Sequence, residues 1–255
     1  MKRIAVAGGT GLAGRRVVES VRHLGAEPVV IARSSGVDLT TGTGLDQVLD
    51  GVDAVIDVTN IVTQNRRRAT AFFETSTRHL LEAEERQGVG HHVLLSIVGI
   101  DRVGLGYYRA THAQETLVRQ GPVPWTILRS TQFHEFAGQM LGDGPVAVVP
   151  SMLSRPVAAW EVADELARLA TAAAAGMAPE ISGPREERVP DMARRLASAR
   201  GRRTLVLTAP LPGATGRGMR TGGLLPTHPG PRGTLTFDEW LDDATRPTTA
   251  QAEAL

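Results

Sequence analysis

The sequence has no cysteine, which excludes disulfides, thiolate metal sites and cysteine nucleophiles. Net charge is almost absent, at +1, with a pI near 8.4, so neither nucleic acid nor an anionic membrane surface is an expected partner. No run of about 18 apolar residues occurs, so no segment is expected to span a membrane. The first predicted strand begins at Arg3, which leaves no signal peptide to expect and makes the cytoplasm the expected location. Repeats and low-complexity tracts are missing too. Lysine is scarce, the cationic residues being nearly all arginine, a bias that fits GC-rich coding rather than function. What is present suffices for a folded core: 42% of the residues are hydrophobic, and 255 residues fit one α/β domain, or one with a small C-terminal addition.

The most informative stretch is the opening. Ile4 to Ala7 reads as a buried strand, and Gly8, Gly11 and Gly14 then fall three apart before a helical pattern begins. That is a dinucleotide-binding turn. Gly8 lets the chain leave the strand, Gly11 lets backbone approach a pyrophosphate, and Gly14 lets the helix pack close to the strand. Thr10, Leu12 and Ala13 complete the turn, and the N–H groups of the first helical turn face the phosphates.

The helix is expected over Leu12 to Leu24 and a second strand over Pro28 to Ala32, which completes a β-α-β unit. No acidic residue follows that strand to bind ribose hydroxyls. Arg33, Ser34 and Ser35 stand there instead, a set suited to the 2′-phosphate of NADP(H). A short strand is expected over Gly36 to Leu39. Its Asp38 is placed either to accept from the adenine amine or to cap the next turn, and Leu39 to pack on the adenine ring. A short helix is predicted over Leu45 to Leu49. The strand from Val52 to Val58 delivers Thr59 and Asn60 to the carboxyl edge of the sheet, where ligands bind in open parallel sheets. Arg66-Arg67-Arg68 opens a helix running to about Gln87 and reads as a solvated face. His91 and His92 precede the strand expected over Val93 to Ser96; adjacent histidines on a strand point to opposite faces and make a poor metal pair, so they read as structural, and no metal site is expected.

Ser96 closes the next strand, and a helix beginning near Tyr107 follows. A serine at a strand end followed by a tyrosine at the next helix start resembles the catalytic layout of the short-chain dehydrogenase/reductases, in which the tyrosine is the general acid. The chain here resembles the NmrA-like, NAD(P)H-binding branch of the atypical short-chain dehydrogenase/reductases. The resemblance rests on Gly8-Gly-Thr-Gly-Leu-Ala-Gly14, Phe72 to Thr77, Leu95 to Asp101, Gly106-Tyr-Tyr-Arg-Ala110, and Trp125 to Arg129 running into Thr131 to Phe136. It extends to the end of the sequence, through Arg155-Pro156-Val157 (usually Gln-Pro-Val), Gly183-Pro184 and Thr236 to Leu241.

The resemblance implies an α/β fold, a Rossmann-type doubly wound parallel sheet with a small irregular C-terminal substrate lobe. It implies a nucleotide-binding core over 1–141 and a lobe over 142–255 with returning core elements. It adds Val58, Ile97 and Thr131 to the nucleotide contacts, and Tyr108, Phe133 and His134 to the substrate contacts. In that family a lysine four residues after the tyrosine holds the ribose and lowers the phenol pKa. Thr111 stands there in this chain. The candidate proton donors are therefore Tyr107 without its lysine, the Tyr108–His112 pair one turn apart, and His134. Gly142 onward is less regular, with strands expected over Val146 to Val149, at Pro156-Val157 and over Leu205 to Leu207. Helices are expected over Trp160 to Ala173 and Pro190 to Ala199, and Gly213 to Pro231 reads as a mobile loop. Two classes of function follow. One is an NADPH-dependent oxidoreductase passing hydride to a small carbonyl, quinone or imine-like substrate, a chemistry of secondary metabolism. The other is a non-catalytic NADP(H)-binding regulator. Either works as a monomer or homodimer.

Overall fold

The structure is a computed structural model that describes residues 1–63 and 65–245, the side chains of 244 and 245 excepted. Its centre is a six-stranded parallel sheet. The elements, in chain order, are β1 (Arg3–Ala7), α1 (Leu12–His23), β2 (Glu27–Ile31), α2 (Leu45–Leu49), β3 (Ala54–Asp57), α3 (Arg66–Gln87), β4 (His91–Ile97), α4 (Gly106–Gln120) and β5 (Trp125–Ser130). There follow α5 (Phe136–Leu141), β6 (Val146–Pro150), β7 (Leu153–Ser154), α6 (Ala159–Thr171), β8 (Gly176–Met177), β9 (Glu187–Arg188), α7 (Val189–Ala199), β10 (Leu205–Ala209), α8 (Gly213–Arg220) and α9 (Phe237–Thr245). The strand order is β2-β1-β3-β4-β5-β8. The chain therefore reverses direction across the sheet between β1 and β3, the switch point at which such sheets open a crevice.

Strands buried on both faces need unbroken apolar runs, and β1 and β3 have them. Alternate residues serve opposite layers. Ile4, Val6 and Ile56 pack with Val17 and Val21 of α1 and Leu166 of α6, while Ala5, Ala7 and Val55 pack with Leu45, Leu49 and Leu80 of α2 and α3. A second core lies apart, where Met192 and Leu196 of α7 meet Val149, Val206, Leu141 and Phe237. Ile100 and Tyr108 belong to it as well, which joins it to the end of β4 and to α4.

The glycine turn is held by contact at backbone distance. Gly8 has φ +80°, and a Cβ on Gly14 would lie 2.1 Å from the Gly8 carbonyl oxygen. Gly11 is extended at φ −74°, with only the Gly8 carbonyl near its Cβ direction, at 3.2 Å. Gly14 is thus required for seating α1 on β1, whereas Gly11 borders open space.

Four local expectations are corrected. Residues 36–39 form no strand: Arg33–Ser35 is a 3₁₀ turn, and Asp38 only bridges Thr43. Gly36, at φ +81°, ends that turn and breaks extension. Pro156 and Val157 make a single bridge, Val157 to Phe133, rather than a strand. His91 and His92 lie within β4 rather than before it. The segment 213–231 is not a free loop. It contains α8, and Arg102 donates to the Gly223 and Leu225 carbonyls at 3.1 and 2.7 Å.

The two histidines are structural, as their alternation requires. His91 Nε2 meets Thr126 Oγ1 at 2.9 Å on one face, and His92 Nδ1 meets Glu84 at 2.9 Å on the other, fully buried. Among the described residues no cluster suited to a metal ion occurs.

The packing at Gly14 sets the first prediction. Gly14→Ala drives a methyl into a backbone carbonyl that cannot rotate away, and is expected to cost ~3 kcal/mol or more in urea unfolding, or to prevent folding. A stability within ~0.5 kcal/mol of the parent would contradict the close approach.

Candidate functional site

The carboxyl ends of β1 and β3 meet at the switch point, and the glycine turn lies between them. No side chain caps α1, so the N–H groups of its first turn, at Leu12 and Ala13, remain free for an external acceptor. Thr10 and Leu12 are exposed beside them. On the β3 side Val58 is buried, its N–H donating to the Ala7 carbonyl, and the Thr59 hydroxyl is buried without a partner. Open backbone at Gly11, uncapped donors and an orphaned hydroxyl together fit a diphosphate-bearing ligand.

Past the end of β2 the predicted phosphate set divides. Arg33 and Ser34 are exposed with no side-chain hydrogen bond among the described residues. Ser35 is exposed too, but its hydroxyl is engaged with the backbone: it donates to the Ala32 carbonyl at 2.8 Å and accepts from the Ala32 N–H, which caps the 3₁₀ turn. Asp38 takes the capping alternative, accepting from the Thr40 hydroxyl and N–H at 2.7 and 2.8 Å. Those bonds hold its carboxyl below the usual carboxylate range. The Leu39 carbonyl meets His79, and its side chain packs partly under the sheet.

Opposite the glycine turn stands α4. Tyr107 and Gln114 are seven residues apart and share its inward face. Gln114 donates to Asp57 Oδ2 at 3.0 Å, Asp57 Oδ1 accepts from the Thr59 N–H at 2.9 Å, and Tyr107 donates to Asn60 Oδ1 at 2.6 Å. Two side chains of α4 thus grip the tail of β3. The Tyr107 ring also rests edge-on against Phe73, 5.7 Å between centroids. Burial pushes its phenol up to about 12, against a smaller opposing effect of the Thr111 hydroxyl. Thr111 is buried and donates to the Tyr107 carbonyl one turn back, at 3.3 Å.

The other predicted catalytic groups are differently engaged. Ser96 is 2% exposed, and its hydroxyl donates to Glu115 Oε1 at 2.6 Å. Glu115 also holds Arg129 through two bonds of 2.8 Å, and Arg129 reaches Asp101 at 3.3 Å. Ser96 is thus one end of a buried ionic chain, not a free hydroxyl. Tyr108 is buried in the second core and accepts from Gln132 at 3.4 Å, whereas His112 is exposed, so the Tyr108–His112 pair does not converge.

His134 departs furthest from expectation. It has no exposed surface, its Nε2 donates to the Leu235 carbonyl at 3.1 Å, and Phe237 and Trp240 cover the ring. Burial lowers its pKa, so the ring is a neutral packing group beneath α9. The Thr131 hydroxyl is likewise committed, donating to the Arg155 carbonyl at 2.6 Å. Ile97 and Phe133 are half-buried apolar wall residues. Sequence reasoning missed Asn60 as the tyrosine's partner, and missed Glu115 and Arg129. The one available signal was a charged residue at the end of the apolar run Trp125 to Leu128.

A family model described as NAD(P)H-binding matches residues 8–173. No protein in the curated set matches the chain. Among solved structures, a short-chain dehydrogenase/reductase superfamily protein from Agrobacterium tumefaciens with bound NAD is similar, with a TM-score of 0.69 at 18% identity over 99% of this chain and 98% of that one. An NADPH-dependent quinone oxidoreductase from Escherichia coli, complexed with NADPH, gives 0.68 at 18% identity over 95% of this chain and 100% of that one. A UDP-N-acetylglucosamine 4-epimerase from Bacillus cereus gives 0.65 at 20% over 82% and 85%. At these identities the likeness is one of fold. No helix among the described residues is long and apolar enough to cross a membrane.

Two outcomes follow from the geometry. Gly11→Val carries no left-handed backbone penalty and meets little protein, so the variant is expected to fold while losing NADPH affinity by more than about a hundredfold in calorimetry. Normal binding would place the phosphates elsewhere. Ser96→Ala removes one hydrogen bond from the Glu115 chain and is expected to cost about 1 kcal/mol in stability with NADPH binding unchanged. A loss of binding without a loss of stability would return Ser96 to the ligand.

Proposed function

The chain belongs to the NAD(P)H-binding family, and from that premise we propose that it is an NADPH-dependent reductase of small organic acceptors, quinones before simple carbonyls. The observation that carries this reading is the Tyr107–Asn60 pair at the carboxyl edge of the sheet, on a helix face with Thr111 where a lysine would stand. Residues 1–141 would carry the nucleotide and 142–255 would close the substrate side. The bound nicotinamide supplies hydride.

This chain's own residues supply position and a neutral hydrogen bond. The first-turn N–H groups of α1 hold the diphosphate, and Gly11 keeps that surface clear. Arg33, exposed past β2 where an acidic residue would select NAD, pairs with a 2′-phosphate, Ser34 beside it. Ser35 and Asp38 shape the turn that carries them. Asn60 orients the Tyr107 hydroxyl, and Phe73 fixes the ring. With a pKa of about 12 the phenol stays protonated through neutral pH, and its one proton lies on the bond to Asn60 Oδ1, so it turns to an acceptor oxygen only in exchange for Asn60 and gives up its proton slowly. An acceptor that draws its proton from water suits such a site. The quinone-reducing neighbour from Escherichia coli supports that choice of acceptor. Thr111 also favours a second reading, a nucleotide-binding regulator, since a protein that does no proton transfer has no need of the lysine.

The tests separate these. Tyr107→Phe, at saturating NADPH, is expected to lower quinone turnover about tenfold or less, and the parent's turnover is expected to stay flat from roughly pH 6 to 9 because its phenol titrates far above that range. Abolished turnover with intact NADPH binding would make the tyrosine an essential acid. If no acceptor is reduced, yet a partner protein distinguishes the NADP⁺-bound from the NADPH-bound form, the regulator reading stands. Arg33→Asp is expected to weaken NADPH binding by about ten- to a hundredfold, from the loss of a charge-assisted contact of ~1.5–3 kcal/mol. Equal affinity of the parent for NADPH and NADH would sink the preference.

A further inference from the structure

A cavity of about 400 Å³ lies among Arg155, Glu180, Ser182, Thr227, His228 and Arg232. None of these belongs to the nucleotide site described above. Three chain segments form its walls. The Ser182 N–H donates to the Pro231 carbonyl, Gly233 N–H to the Ser182 carbonyl, and Gly183 N–H to the Arg155 carbonyl. Their approach leaves no slack: a Cβ at Gly183 would lie 1.7 Å from the Pro156 oxygen, and one at Gly230 2.2 Å from the Glu180 oxygen. The walls are built, not draped.

The position is the carboxyl end of β5. Ser130 bridges Ile181, and the Thr131 N–H donates to the Ile181 carbonyl, so the cavity opens along the same sheet edge as the glycine turn. Side chains continue the connection. Gln132 donates to the Tyr108 hydroxyl at 3.4 Å and accepts from Ser154 at 2.7 Å, and the next residue is Arg155.

The polar groups are left wanting an acceptor. Ser182 as a whole is 3% exposed, and its hydroxyl makes no side-chain hydrogen bond among the described residues. Arg155 Nε is buried without a partner, although Nη2 pairs with Glu186 at 2.8 Å. Arg232 has no ion pair or side-chain hydrogen bond among the described residues, and neither has His228. The lining holds one carboxylate, Glu180, whose Oε2 accepts from the Thr227 N–H at 3.4 Å. The Ser182 hydroxyl, the unpartnered Nε of Arg155 and the exposed Arg232 line one opening and match a carboxylate or phosphate, and Arg is the residue that reads such planar or tetrahedral anions by paired donors. The volume exceeds what the anion alone would fill and falls in the range of small-molecule sites, about 300–1,000 Å³.

We propose that this cavity binds the anionic group of a small organic acid or phosphate ester, held between Arg155 and Arg232 with the Ser182 hydroxyl donating to it. The test titrates benzoate and inorganic phosphate into the full chain with NADP⁺ present, followed by calorimetry and by the side-chain NMR signals of Arg155 and Arg232. Arg232→Gln, at an exposed position, and Ser182→Ala, which removes one oxygen, are both expected to fold. Each should weaken binding of at least one probe, Arg232→Gln by about tenfold, while NADPH affinity is unchanged. Preference for benzoate identifies an organic carboxylate as the source, and preference for phosphate a phosphate ester. No binding to the parent, or binding that neither variant weakens, overturns the proposal. Turnover plays no part in this readout, so failure of the reductase reading and failure of the anion site are told apart.

Discussion

The close seat of α1 on the turn after β1 is the constraint on which the rest depends. A Gly14 Cβ would sit 2.1 Å from the Gly8 carbonyl oxygen, so only glycine permits the contact. That contact brings the start of α1 up to the sheet edge. It leaves the first-turn N–H groups facing outward and Gly11 bare. The same turn touches the tail of β3, since a Cβ on Gly8 would meet the Val58 oxygen at 3.0 Å. The cradle and the strand tail beside it are therefore positioned together, and α1 is further tied to α6 by a Ser20–Asp164 hydrogen bond of 2.5 Å.

The opposite wall is set by buried polar chains rather than by apolar packing alone. Gln114 and Tyr107 hold the β3 tail, and Glu115 holds Ser96 and Arg129. Behind them the Glu84–His92 pair joins α3 to β4 with both side chains fully buried. Burial raises the Glu84 pKa, and although burial alone would depress His92, the Glu84 carboxylate raises it. Such chains add little net stability over apolar substitutes, but breaking one partner strands a buried charge, so they enforce a single arrangement of helix on sheet. The consequence for the site is that the Tyr107 hydroxyl has one orientation, toward Asn60.

Much of this was legible in the sequence, for physical reasons that differ by element. The glycine spacing and the apolar run before it carry β1, the turn and α1 almost unaided, because only glycine fits there. The long apolar periodicities of α3, α6 and α7 are equally direct, within a residue or two at their ends. Residues 36–39 misled because an alternating apolar-polar pattern cannot reveal that Gly36 adopts a left-handed conformation. Ser96 and Thr131 looked free because hydroxyl residues at strand ends do bind ligands. Their partners, Glu115 and the Arg155 carbonyl, are distant in sequence and set by tertiary packing. His134 misled for the same reason: the residues that bury it, Phe237 and Trp240, lie about a hundred positions away. The cavity around Ser182 is not legible in the sequence: Arg155-Pro156-Val157 and Gly183-Pro184 stand out only as parts of the resemblance, and backbone bonds distant in sequence join them to residues 226–233.

The central claim is spatial: the nucleotide lies from the α1 turn to the Tyr107–Asn60 pair. The most direct measurement is a crystal structure of the full chain with NADP⁺. The account predicts the diphosphate on the N–H groups of Leu12 and Ala13, the 2′-phosphate within reach of Arg33, and the nicotinamide ring against Tyr107. A nicotinamide bound away from Tyr107, or a diphosphate that does not touch the α1 turn, would contradict it.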